Sequence, residues 1–250
     1  GCDCIISVSG AFRISKVTDF LPWRLMNPDV SAWADTSHPY FCNYQAHCLL
    51  IDLAKQYAVK RFVRLTGGTV GFSAFNPFVI IMSSLLSMTT RYHFLTENYL
   101  RESDIPYLIV RPGGLMNGDR DPSTTFVQLD PTCHIPPPSY VHRSDVAALC
   151  VAAACSSSSS LLSSPENSYT MCLRAVGEVV KGKKPQGTKQ DGSATVQECL
   201  DTLKGGTPAT LVVPATKPYG LAVGLVVYSV MSVTVGVMWW IASKVTSQMF

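Results

Sequence analysis

Short apolar runs closed by glycine alternate, over roughly the first 175 residues, with longer stretches whose apolar positions recur every three to four residues. Residues 2–9, CDCIISVS, end at Gly10 and predict a buried strand. Residues 43–58, NYQAHCLLIDLAKQYA, bring Leu49, Leu50, Leu53 and Ala54 to one face of a predicted helix. VKRFVRLT (59–66) predicts a strand stopped by Gly67 and Gly68. A long helical pattern follows from Pro77 to about Ser103, apolar nearly all round in its first half and amphipathic in its second. YLIVRPGGL (107–115) predicts a strand broken by Pro-Gly-Gly, and SYTMCLR (168–174) a last strand. Between them SYVHRSDVAALCVAAAC (139–155) turns from strand into a helix capped near Ser144, with Asp145 in its first turn. This strand–helix rhythm predicts a parallel α/β sheet.

Other stretches lack either period. Residues 12–41, with Pro22, Pro28 and Pro39, predict a long loop carrying Trp23 and Trp33. Ser156–Ser160 reads as a flexible loop, and residues 176–218, rich in Gly, Lys, Thr, Gln and Pro, as a linker.

Residues 219–241, YGLAVGLVVYSVMSVTVGVMWWI, hold no charge. At 1.5 Å per residue such a run crosses a hydrocarbon core of roughly 30 Å, so it predicts a transmembrane helix rather than a buried core helix. Trp239 and Trp240 fit an interfacial aromatic belt, and Gly220 and Gly224 form a G-x-x-x-G that favours close helix packing. Lysines 181, 183, 184, 189, 204 and 217 precede the run and only Lys244 follows it, which keeps the large N-terminal part on the side of insertion. A short tail, 242–250, would cross.

A net charge of +3, without interleaved basic and aromatic residues, excludes nucleic acid as a partner. Nine cysteines form no framework, which points to a reducing compartment. His38, Cys42, His47 and Cys48 cluster in sequence but lack a second paired motif, so no zinc site is expected. The chain starts Gly-Cys-Asp-Cys with neither Met nor a signal peptide, which suggests processing or an omitted beginning.

Four segments in this order, CIISVSGA, HCLLIDLAKQYAVKRFVRLTG, FLTENYLRESDIPYLIVRPGGL and YVHRSDVAAL, resemble the C-terminal part of an extended or atypical short-chain dehydrogenase/reductase, close to the NmrA-like group. The resemblance implies a partial doubly wound, Rossmann-like parallel sheet over residues 1–175, with the N-terminal strands absent, and CIISVSG as the fourth strand of the family's sheet. The family's G-x-x-G-x-x-G loop, which holds the cofactor pyrophosphate, is not found; Gly67, Gly68 and Gly71 read as a turn. The family's catalytic Tyr-x-x-x-Lys is not recovered either. With Glu97 taken as the Glu that follows the Lys, His93 stands at the Lys position and Thr89 at the Tyr position; starting from Tyr92 puts Thr96 at the Lys.

If a cofactor is retained, the resemblance implies that Ser9, Gly10, Thr66, Pro112 and Gly113 bind it; strand termination accounts for Ser9, Gly10, Pro112 and Gly113 without one, and a local backbone bond for the Thr66 hydroxyl. Arg143 and Asp145 read as a surface ion pair. The expected function is therefore a non-catalytic, single-pass membrane subunit of an organellar complex, with no catalytic residues, no metal and no cofactor. Its partners would be other subunits, covering the sheet edge left by the missing strands, and lipid. Of the two organelles, the plastid thylakoid is preferred to the mitochondrial inner membrane. The alternatives are a membrane-anchored NAD(P)-dependent reductase or epimerase, or an NADP(H) sensor, whose cofactor half precedes this sequence.

Overall fold

In chain order the strands are β1 (Cys4–Ser7), β2 (Arg61–Leu65), β3 (Tyr107–Pro112), β4 (Gly114–Met116), β5 (Thr125–Asp130), β6 (Tyr140–His142) and β7 (Tyr169–Gly177). The helices are α1 (Ala46–Gln56), α2 (Pro77–Leu85), α3 (Thr89–Arg101), α4 (Arg143–Cys155), α5 (Val196–Lys204) and α6 (Leu221–Met249). The structure, a computed structural model, describes residues 1–11, 13–20, 35–130, 139–155, 168–177, 192–204 and 221–249. Trp23, Trp33, the 156–160 serine tract, Gly220 and much of the expected linker lie outside the described residues.

Five strands form one sheet in the order β1-β2-β3-β7-β5. The first four run parallel, with Ile6 opposite Val63, Val63 opposite Leu108 and Val110 opposite Met171; β5 closes the sheet antiparallel to β7. β4 and β6 make a separate parallel pair beyond the end of β3. The N-terminal strand β1 is thus paired along its whole length with β2.

Side-chain alternation divides the core. On one face Phe62 and Ile109 pack with Ile51 and Ala54 of α1 and Leu100 of α3. On the other, Val63, Leu108, Val110 and Leu173 pack under Val146 and Leu149 of α4 and Cys199 and Leu200 of α5. The stretch expected to be a linker therefore contains a core helix, α5, and Ser193 just ahead of it exchanges backbone bonds with Val127 of β5 (2.8 and 2.9 Å).

The helical pattern from Pro77 to Ser103 is two helices. Pro77 opens α2 behind Asn76, whose side chain accepts from the Phe78 N–H at 2.9 Å. The break comes at Ser87 and Met88, both left-handed, with φ of 49° and 58°. Left-handed geometry costs a residue with a Cβ about 1–2 kcal/mol. The loop before α1 offsets that cost: Ser15 Oγ accepts from the Ser87 N–H at 2.7 Å, and Asp19, paired with Arg13 at 2.7 Å, accepts from the Ser87 hydroxyl at 3.0 Å.

The expected transmembrane helix is corrected. Residues 221–249 are helical, but among the described residues no helix is long and apolar enough to cross a membrane. Within this run the Ser229 and Thr234 hydroxyls bond back to the Leu225 and Val230 carbonyls at 2.9 and 2.8 Å, and the helix rests against α2. Gly224, Trp239 and Trp240 lie in this helix, the two tryptophans exposed. The inference of membrane sidedness from the flanking lysines goes with the span.

Candidate functional site

The face of the sheet that carries α1 and α3 is apolar low down and polar at the carboxyl ends of the strands. In β1 Ile5 gives way to Ser7, in β2 Phe62 gives way to Arg64 and then Thr66, and in β3 Ile109 gives way to Arg111. Open parallel sheets take their ligands beyond this end of the strands.

Glu97, fully buried on α3, gathers three of these groups. Its carboxylate accepts from Arg111 Nε at 3.1 Å and Nη2 at 2.5 Å, from Arg101 Nη2 at 2.8 Å and from the Thr66 hydroxyl at 2.6 Å. Burial alone would raise its pKa, but Arg111, Arg101 and the Thr66 hydroxyl outweigh burial and hold it at about 2. Thr66 thus bonds across to another element, not to local backbone.

Arg64 forms a second centre. It is fully buried, its Nη1 donating to Ser7 Oγ at 3.0 Å and to the Ser9 carbonyl at 2.9 Å, while Nη2 lies 3.4 Å from His93 Nδ1. These partners include no carboxylate, and Nε has no partner among the described residues. Burial lowers its pKa to about 10 against the pull of Glu97. His47 on α1 reaches Ser7 Oγ at 2.8 Å and Ser9 Oγ at 3.2 Å. Burial first and Arg64 second push His47 down to about 4 and His93 down to about 3. Both imidazoles are neutral near pH 7.

On the far side of the β2 end, a cavity of about 720 Å³ opens between the Gly67–Gly68 loop and the Pro112–Gly113 corner, walled by Phe72, Phe78, Met82 and Tyr140. The loops approach so closely that side chains are excluded. A Cβ on Gly68 would meet the Pro112 carbonyl oxygen at 3.1 Å, and one on Gly113 would meet Ser139 oxygens at 2.7 Å.

Of the five positions expected to serve a cofactor, Pro112 and Gly113 line this cavity, Ser9 and Gly10 lie beside His47 and His93, and Thr66 donates to Glu97. The positions aligned with Tyr-x-x-x-Lys do not form that pair. Tyr92 is fully buried, its ring edge-on to His38 and Tyr40 at 5.6 and 5.8 Å. Thr96 bonds the Tyr92 carbonyl at 2.9 Å and Thr89 the Leu86 carbonyl at 2.7 Å. Asp145 pairs with Arg120 (3.1 and 3.2 Å) while Arg143 donates to Asn117 at 2.6 Å, so the expected Arg143–Asp145 pair is replaced by two others. Among the described residues no group of three or more His, Cys, Asp or Glu could hold a metal ion.

The sequence reading missed Arg64 and Arg111. The available signal was an arginine at an inward position of each apolar strand, where a charge demands a partner.

Residues 1–156 match the model of a family described as NAD(P)H-binding. The match begins at the first residue, so β1 belongs to the family fold, and the expected sheet with its N-terminal strands absent is corrected. An uncharacterized chloroplastic protein of Arabidopsis thaliana is 34% identical over 86 residues, which is 33% of this chain and 29% of that one. The chain therefore matches less than a third of that relative's length. Among solved structures, one described as an NAD-dependent epimerase/dehydratase from Bacillus halodurans aligns with a TM-score of 0.52 at 14% identity, over 80% of this chain and 69% of its own. An oxidoreductase of Lactococcus lactis aligns with a TM-score of 0.50 at 14% identity, over 83% of this chain and 70% of its own. At such identities the likeness is one of fold.

Proposed function

Because the chain belongs to the NAD(P)H-binding family, we propose that it holds a nicotinamide dinucleotide across the carboxyl ends of β1, β2 and β3, as a reductase- or epimerase-type domain. The observation that carries this reading is the glycine-lined approach of the Gly67–Gly68 loop to the Pro112–Gly113 corner around the 720 Å³ cavity. A flat ring lies against backbone where side chains are excluded, and the apolar wall of Phe72, Phe78 and Met82 keeps water away from it.

In this reading Pro112 and Gly113 face the nicotinamide end, and Ser9 and Gly10 the neighbouring ribose. Bound there, the dinucleotide supplies hydride transfer. The chain's own contribution is to orient and to exclude water. Glu97 holds Arg111 and Arg101, and so keeps the β3 end and α3 in one register. A Tyr–Lys proton relay has no part in this reading, since Tyr92 is committed to an aromatic cluster. The chloroplastic relative supports a plastid location for the protein, to be checked by imaging a fluorescent fusion of the full-length gene product.

Titrating the purified protein with NADH and with NADPH, read by energy transfer from tryptophan to the reduced nicotinamide, tests the proposal. Saturable micromolar binding of at least one is expected. Absence of saturation with both would remove it.

A further inference from the structure

His93 stands between two groups that only donate. Asn43 Oδ1 accepts from the Ala11 backbone N–H at 2.6 Å, which orients the amide so that its NH₂ faces His93 Nε2 at 3.5 Å. On the opposite edge of the ring Arg64 Nη2 faces Nδ1 at 3.4 Å, and a guanidinium has no acceptor. A neutral imidazole carries one N–H and one lone pair, so it can accept from one of these neighbours and not from both. The charged guanidinium is the stronger donor and takes the lone pair of Nδ1. The proton is then on Nε2, turned toward the Asn43 NH₂ and toward Gly10, with no acceptor opposite it among these contacts. An imidazolium would be worse placed, with two N–H groups against two donors beside a buried cation.

A buried donor held in this way is costly if nothing accepts from it. Two further observations bear on an acceptor beside these donors. Arg64 Nε, also a donor, is buried without a partner among the described residues. Gly10 is exposed, and a Cβ built on it would lie 3.5 Å from His93 Cε1 and 3.8 Å from Nε2, so a molecule lying on the Gly10 backbone touches this ring edge.

We infer that His93 is a ligand-gripping residue, its Nε2–H donating to an oxygen of the dinucleotide lying over Gly10, with Arg64 and Asn43 as the positioning residues that set its tautomer. The inference rests on the cofactor reading above. The low pKa of His93 agrees with a ring that stays neutral while it donates.

Two measurements test it. In protein labelled with ¹⁵N-histidine, long-range ¹H–¹⁵N spectra should show His93 as the neutral Nε2–H form throughout pH 5–8, with its Nε2 signal moving when NADPH is added. Second, NADPH titration should give a Kd raised about tenfold in His93→Leu, the loss of one hydrogen bond of about 1.4 kcal/mol, and a Kd within about threefold of the parent in His93→Gln, whose amide NH₂ reaches the same place. An Nδ1–H tautomer, or an unchanged Kd in His93→Leu with the parent still binding, overturns this inference alone. No binding by the parent overturns it together with the cofactor reading. If His93→Leu does not fold, the spectra of the parent protein decide.

Discussion

The Arg111 guanidinium lies side by side with the Glu97 carboxylate, Nε to Oε1 at 3.1 Å and Nη2 to Oε2 at 2.5 Å, joining the end of β3 to the middle of α3 in a fully buried setting. A two-point pair of this kind fixes direction as well as distance. It also leaves both partners dependent on each other, because neither can be hydrated.

Replacing Glu97 with Gln should therefore cost about 3–5 kcal/mol, since Arg111 and Arg101 are left buried without their counter-charge. Urea unfolding at pH 7 reads this directly. The same carboxylate sets an acid limit. Its folded pKa, about 2, lies below the ordinary glutamate value of 4.5, so its contribution is complete above about pH 4.5 and is lost as the pH falls toward 2. The parent should lose stability across that window more steeply than Glu97→Gln. A shared slope would mean that the pair contributes nothing.

The two buried histidines act at milder pH. His47 at about 4 and His93 at about 3 stay neutral in the fold, while the unfolded chain takes up their protons near 6.5. Their contribution is therefore complete above about pH 6.5 and declines below it, by about 1.4 kcal/mol per pH unit for each site. Unfolding free energies measured at pH 7.5, 6 and 5 should fall accordingly, and His47→Gln should remove about half of the slope between pH 6 and 5.

Gly113→Ala should destabilise by about 1–3 kcal/mol and weaken dinucleotide binding, because its Cβ would sit 2.7 Å from Ser139 oxygens at the mouth of the cavity. Gly67→Ala is the control. Its nearest neighbour would be the Thr69 hydroxyl at 3.9 Å, so the melting temperature should stay close to that of the parent. Equal effects of the two changes would remove the argument from close approach.

Leu200→Ala tests whether α5 belongs to the core. Leu200 is 1% exposed among Val127, Leu173 and Leu149, so truncation should cost about 2–5 kcal/mol. A helix that merely spaced two parts of the chain would tolerate the change, and an unaltered urea midpoint would show that.

What could be read from residue order was local. β1, β2, β3 and β7 are short apolar runs with clear stops, and α1 and α4 are apolar enough to be read as helices, although α1 buries Ile51 and Ala54 and leaves Leu49 and Leu53, expected on its apolar face, exposed. β5 was not recognised, because TFVQLD is short, polar in part and takes its place only by pairing with β7. The break between α2 and α3 was invisible for a related reason. No Gly or Pro marks it, and the left-handed turn at Ser87 and Met88 is held from outside by Ser15 and Asp19.

The candidate site divides in the same way. Position in the chain placed Ser9, Gly10, Pro112 and Gly113 at strand ends, because a strand end is a local event. Residue order could say that His93 and Thr89 are not a Lys and a Tyr. It could not say that Arg64, on another element, lies against His93, nor that Thr66 donates to Glu97 instead of to its own backbone. The uncharged run from 219 to 241 shows the limit from the other side, since freedom from charge is a property of composition, and among the described residues no helix is long and apolar enough to cross a membrane. Periodicity and stops are written in neighbouring residues and so survive without a fold. Partners, burial and protonation depend on what the chain brings together from dozens of residues away, and those came from the packing of α1 and α3 on the sheet.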